Sequence, residues 1–81
     1  MKNNSVITLK DYGEIEFKLK EFMDERNITR GALSRLANIR HEVATKWYFG
    51  NIEKMDLDVL ARICFALDCD INDIISYKKA K

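Results

Sequence analysis

The run from Thr29 to Gly50 constrains the fold of this chain more than any other part of it. Leu33 and Ala37 lie four residues apart and share one face of a helix that opens at Thr29-Arg30. Asn38-Ile39 then interrupts the pattern, and Asn is the best non-glycine residue for the left-handed conformation that a sharp helix stop needs. A second helical pattern, from about Arg40 to Phe49, turns Ala44 and Trp47 inward and ends at Gly50-Asn51. His41, Glu42, Thr45 and Lys46 are left on its outward face. Two short helices around so tight a turn predict a helix-turn-helix, with an outer face built for polar contact.

The rest of the chain reads as helical cover for this element. From about Tyr12 to Asn27, Ile15, Leu19, Phe22 and Met23 recur with helical spacing, and Thr29 is a good N-cap for the helix that follows. Gly31 has two readings, a close approach by a phosphate or a tolerated surface glycine. Asp56 caps a pattern from Leu57 to Leu67 with Leu57, Leu60, Ile63, Cys64 and Leu67 inward. Asp70 caps a last short helix that returns Ile71 and Ile74 to the core, with Asp73 as the distal acid of a capping box. No proline is present, which fits five helices. Residues 1–5 read as a frayed start, and Val6-Ile7-Thr8-Leu9 has strand-like composition. The division expected is an N-terminal arm over 1–13, one domain over 14–77 and a basic, solvated tail over 78–81.

Composition narrows the function. Eighty-one residues make a single small domain, near the lower limit for a self-sufficient core. No apolar run is long enough for a membrane span or a secretory leader, so a cytoplasmic protein is expected. Cys64 and Cys69 fit no common zinc spacing and have one His for company, so both read as reduced, buried small hydrophobes, with no metal and no cofactor. Net charge is only +1, but it is polarised. From Arg26 to Lys54 six basic residues face two acidic ones, a net of +4, whereas Met55 to Tyr77 carries a net of −4. The positive pole coincides with the two-helix element, which favours a nucleic-acid partner. Enzyme chemistry is not expected, since there is no nucleophile–base spacing and no Gly-rich phosphate loop.

Leu33, Ser34, Ala37, Asn38-Ile39, Ala44, Trp47 and Gly50 match without gaps the spacing of lambda-repressor-like (Cro/repressor, xenobiotic-response-element type) helix-turn-helix proteins. The segment from Asp56 to Asp70 resembles a branch of short bacterial and mobile-element regulators, with its Ile-Cys-x-x-Leu-Asp-Cys signature. The resemblance covers roughly Ile15 to Tyr77 and implies an all-α, compact five-helix domain that binds an operator in double-stranded DNA, commonly as a homodimer. Arg40 stands where that family prefers a Ser or Thr cap, Tyr48 where many members carry Glu, and Phe65 where the residue is usually polar.

Matched to the family's reading positions, His41, Glu42, Thr45 and Lys46 are the expected base contacts in the major groove. Thr29, Arg30, Arg40, Asn51 and Lys54 are the expected phosphate contacts at the edges. Trp47 is expected in the core, whereas Tyr48 and Phe49 fit either the following loop or the rim of the DNA surface. Phe65, Ile75 and Tyr77 exceed what the core needs and serve either as a dimer face or as cover for the arm around Ile7 and Leu9. The expected function is a sequence-specific regulator, a small repressor. Its rival is a protein-interaction module, such as an antitoxin or anti-repressor with a protein partner.

Overall fold

The computed structural model describes residues 12–80, so the expectations for the arm upstream of Tyr12 and for Lys81 lie outside the described residues. The order is β1 (Glu14–Phe17), α1 (Leu19–Glu25), α2 (Arg30–Ala37), α3 (His41–Phe49), α4 (Leu57–Leu67), α5 (Ile71–Ile74) and β2 (Ile75–Lys78). Among the described residues five helices are present, but the domain is not all-α, because β1 and β2 form a two-stranded antiparallel sheet.

The strand replaces the first turn of the helix expected from Tyr12. Glu14-Ile15-Glu16-Phe17 alternates polar and apolar with a period of two, and its register is Glu14↔Lys78, Ile15↔Tyr77, Glu16↔Ser76 and Phe17↔Ile75. Ile15, expected inward, therefore lies opposite Tyr77 on the sheet and is exposed. Phe17, two residues on, reaches the core and packs edge-on against Trp47 with ring centroids 6.0 Å apart. Helix α1 begins only at Leu19, where the Lys18 N–H donates to the Ile74 carbonyl at 2.6 Å and joins the two ends of the domain.

Each of the four longer helices contributes a pair of core residues one turn apart: Leu19 and Met23, Leu33 and Ala37, Ala44 and Trp47, Leu60 and Ile63. Ile74 of α5 completes the cluster. Fully burying an aliphatic side chain of this size stabilises a fold by roughly 1.5–3 kcal/mol, so these few contacts carry much of the domain. Besides Ile15, two residues expected inward are not. Leu57 is the first residue of α4 and Ile71 the first of α5, and both project from helix starts into an open apolar groove that also holds Cys64 and Cys69. Both cysteines are free and half-buried, and burial pushes the Cys69 thiol up to about 11.

One stop device ends all four longer helices. Asn27, Asn38, Gly50 and Asp68 adopt positive φ. After each, the next residue's N–H returns to a carbonyl five residues back: Ile28 to Met23, Ile39 to Ser34, Asn51 to Lys46 and Cys69 to Cys64. At the starts, the Thr29 hydroxyl accepts from the Ala32 N–H at 3.1 Å, and the Asp56 carboxylate accepts from the Asp58 and Val59 N–H groups. Asp70 and Asp73 form the expected capping box. Among the described residues no helix is long and apolar enough to cross a membrane.

Candidate nucleic-acid interface

The angle between α2 and α3 is set by the turn at Asn38-Ile39, and one backbone conformation and two hydrogen bonds fix it. Asn38 takes φ 54° and ψ 53°, which swings the chain out of α2. The Ser34 hydroxyl donates to the Ile39 carbonyl at 2.6 Å, which explains the value of a small hydroxyl residue there. Across the domain, Arg62 of α4 donates from Nη1 to the Asn38 carbonyl at 3.2 Å while its Nε donates to Asp58 at 2.8 Å. Arg62 as a clasp on the turn was not apparent from the sequence, because its partner lies 24 residues away and is a backbone atom. Ala37 and Leu33 below the turn, and Ala44 and Trp47 beyond it, hold both helices on the common core.

That arrangement turns one face of α3 outward. His41, Glu42 and Lys46 are exposed and Thr45 is half-buried, while Ala44 and Trp47 point inward. On a helix, His41, Thr45 and Phe49 form one row, and Glu42 and Lys46 the row beside it. All four expected base-reading residues therefore share one surface. Arg40 is the N-cap of α3 and is extended, with φ −64° and ψ 148°, but supplies no side-chain cap. The first N–H groups of α3 thus keep their donors for an outside acceptor.

Four of the five expected phosphate residues divide between two shallow hollows. Thr29 and Arg30 at the start of α2 line one of about 470 Å³ together with Asp24, Asn27, Ile28 and Tyr48. Asn51 and Lys54 line another of about 580 Å³ beyond the end of α3, joined by Lys46 and opposed by Glu53. Arg40 lies in neither and is exposed at the opposite end of α3. Among the described residues the ion pairs engage Lys20, Arg26 and Arg62, and none engages Arg30, Arg40, Lys46 or Lys54. The cations of this face keep their charge for a partner.

Tyr48 and Phe49 occupy the last turn of α3 and resolve differently. The Tyr48 hydroxyl donates to Asp24 Oδ1 at 2.7 Å, tying α3 to α1. This bond holds the Asp24 carboxyl below its ordinary value of 3.8, with Lys20 helping, and holds the Tyr48 phenol above its ordinary 10.0. Phe49 is half-exposed in the row of His41 and Thr45. Of the suggested dimer residues, Phe65 projects from α4 at 87% exposure, Tyr77 is exposed on β2 and donates to the Tyr12 carbonyl, and Ile75 packs partly against the core.

Two helices packed on a common core, a clasped turn between them and an outward polar helix with nearby cations outside the ion pairs of the described residues define a helix-turn-helix nucleic-acid-binding protein. The chain belongs to the Cro/C1-type HTH DNA-binding domain family, which it matches over residues 18–80. It is also similar to the transcriptional regulator VanUg in crystal form II, with a TM-score of 0.65, 25% identity, and 96% of this chain and 99% of that one covered. No curated protein matches the sequence.

Proposed function

We propose that this protein is a sequence-specific transcriptional regulator, a small repressor that lays α3 in the major groove of an operator. The observation that carries the reading is the outward face of α3, where His41, Glu42, Thr45 and Lys46 lie together and Lys46 also lines one of the cation-bearing hollows. Residues near the start of such a helix reach deepest into the groove. His41 donates to guanine N7 or O6, Glu42 accepts from a cytosine amino group, and Thr45 meets a thymine methyl or a base acceptor. Thr29, Arg30, Arg40, Asn51 and Lys54 fix the register on the backbone. Family membership and the likeness to a transcriptional regulator support the same reading.

The test is a mobility shift on cognate and random duplex. Replacing His41, Glu42 and Thr45 with Ala together removes discrimination between the two, while salt-dependent binding persists. Full discrimination in the triple variant would refute this reading face. The exposed Phe65 supports a homodimer and equally an antitoxin-like contact with a protein partner. Co-purification of a bound protein with wild type and its loss in Phe65→Asp distinguishes the second from the first.

A further inference from the structure

Phe49 is the one aromatic of the α3 surface whose position the core does not explain. It is 52% exposed on an otherwise polar row, and it is not among the residues packed on the buried cluster, whereas Tyr48 is. Its ring meets Tyr48 edge-on, with centroids 4.9 Å apart and planes at 83°. The Arg30 guanidinium, from the start of α2, stands 5.3 Å from the Phe49 centroid and 5.7 Å from that of Tyr48. Both distances fall within cation–π reach. An Arg that follows the N-cap of one helix is thus held in the angle between two rings at the end of the next.

Asp24 makes this placement informative. It lines the same hollow as Arg30, and an Arg beside a carboxylate ordinarily pairs with it. Here Asp24 instead accepts from the Tyr48 hydroxyl at 2.7 Å and from Lys20 Nζ at 3.2 Å. Tyr48 therefore does two things: it engages a carboxylate that lines the same hollow as Arg30, and it offers Arg30 a ring.

We propose that Tyr48 and Phe49 are positioning residues that hold Arg30 ready for a DNA backbone phosphate, with Asp24 fixing Tyr48. The proposal rests on the DNA-binding reading above and adds to it how the clamp is oriented. A free Arg loses much rotamer freedom when it grips a phosphate, and a guanidinium already confined by two rings loses less. A π-face contact at an exposed site amounts to about a two- to fivefold change in affinity.

A double-variant cycle on the full chain tests this, using a fluorescent mixed-sequence duplex titrated at several salt concentrations. Arg30→Ala in the wild-type background is expected to weaken binding and to make the salt slope shallower by about 0.9, one phosphate contact. In a Phe49→Leu background, which keeps apolar bulk but no π face, Arg30→Ala should cost about two- to fivefold less. Phe49→Tyr should behave as wild type, and Tyr48→Phe should weaken binding by freeing Asp24 to pair with Arg30. Far-ultraviolet circular dichroism confirms that each exposed-site variant is folded. An equal cost of Arg30→Ala in both backgrounds overturns the positioning role while leaving Arg30 on the phosphate. An unchanged salt slope in Arg30→Ala, with the duplex still bound, overturns the proposal but not DNA binding. Failure of the wild-type chain to bind the duplex overturns both.

Discussion

Glycine to alanine at Gly31 and at Gly50 is the same chemical change, and the structure predicts opposite signs for it. Gly50 has φ +75° at the stop of α3. An L-residue there costs about 1–2 kcal/mol from Cβ–carbonyl crowding alone. The new methyl would also stand 3.1 Å from Phe17 Cβ and 3.3 Å from its Cγ. Phe17 has little room to give, being paired with Ile75 on one side and edge-on to Trp47 on the other. Gly31 lies in the first turn of α2, where a methyl would meet only Arg35 Nη1 at 3.8 Å and Thr29 Oγ1 at 4.0 Å. Relief of glycine's backbone entropy there is worth roughly 0.5–1 kcal/mol. Gly50→Ala is therefore expected to lose at least about 1–2 kcal/mol, and Gly31→Ala to gain up to about 1. Trp47, the sole tryptophan and 2% exposed, reports urea unfolding directly by its fluorescence. For a domain of this size each kcal/mol also moves the thermal midpoint by about 4–8 °C. A Gly50→Ala variant as stable as wild type would refute the account of the α3 stop, and a destabilised Gly31→Ala would refute the claim of open space. With the fold intact in Gly31→Ala, weaker duplex binding would show that a phosphate comes close to the Gly31 backbone.

Thr29→Ala removes the hydroxyl that accepts from the Ala32 N–H, and is expected to cost about 1 kcal/mol in urea unfolding; Thr29→Ser should retain most of it. The Tyr48–Asp24 bond has a pH window. Asp24 is depressed, so its contribution is full above 3.8 and lost as pH falls through its folded value; Tyr48 is raised, so its contribution is full below 10.0 and lost as pH rises through its folded value. The stability difference between wild type and Tyr48→Phe should hence be flat between those limits and shrink outside them, and a difference unchanged at the extremes contradicts the bond's role. Self-association through Phe65 would show in sedimentation as a dimer that Phe65→Asp dissociates, whereas a wild-type monomer at high concentration removes Phe65 from any self-association.

The helix-turn-helix was legible because its determinants are local. Apolar spacing at Leu33, Ala37, Ala44 and Trp47, the Thr29 cap, and the left-handed residues Asn38 and Gly50 each act within a few positions of one another. The residues proposed to read bases share a face for the same reason, since a helix period alone places them. What escaped the sequence was non-local. The strand at Glu14–Phe17 exists because Ile75–Lys78 pairs with it from the far end of the chain, and Ile15 at helical spacing from Leu19 imitated a helix start. Leu57 and Ile71 look inward by periodicity, but the crossing of α4 and α5 leaves both exposed along the open groove that also holds Cys64 and Cys69. The clasp of Arg62 on Asn38 and the grouping of Asp24, Tyr48, Phe49 and Arg30 likewise depend on how helices cross, which periodicity does not encode.

Whether α3 reads a DNA sequence is decided by selecting the full chain against a random duplex library and sequencing the bound duplexes. One enriched motif is expected, arranged as a palindrome with half-sites about one helical turn (~34 Å) apart. A folded chain that enriches no sequence over the starting library would contradict it.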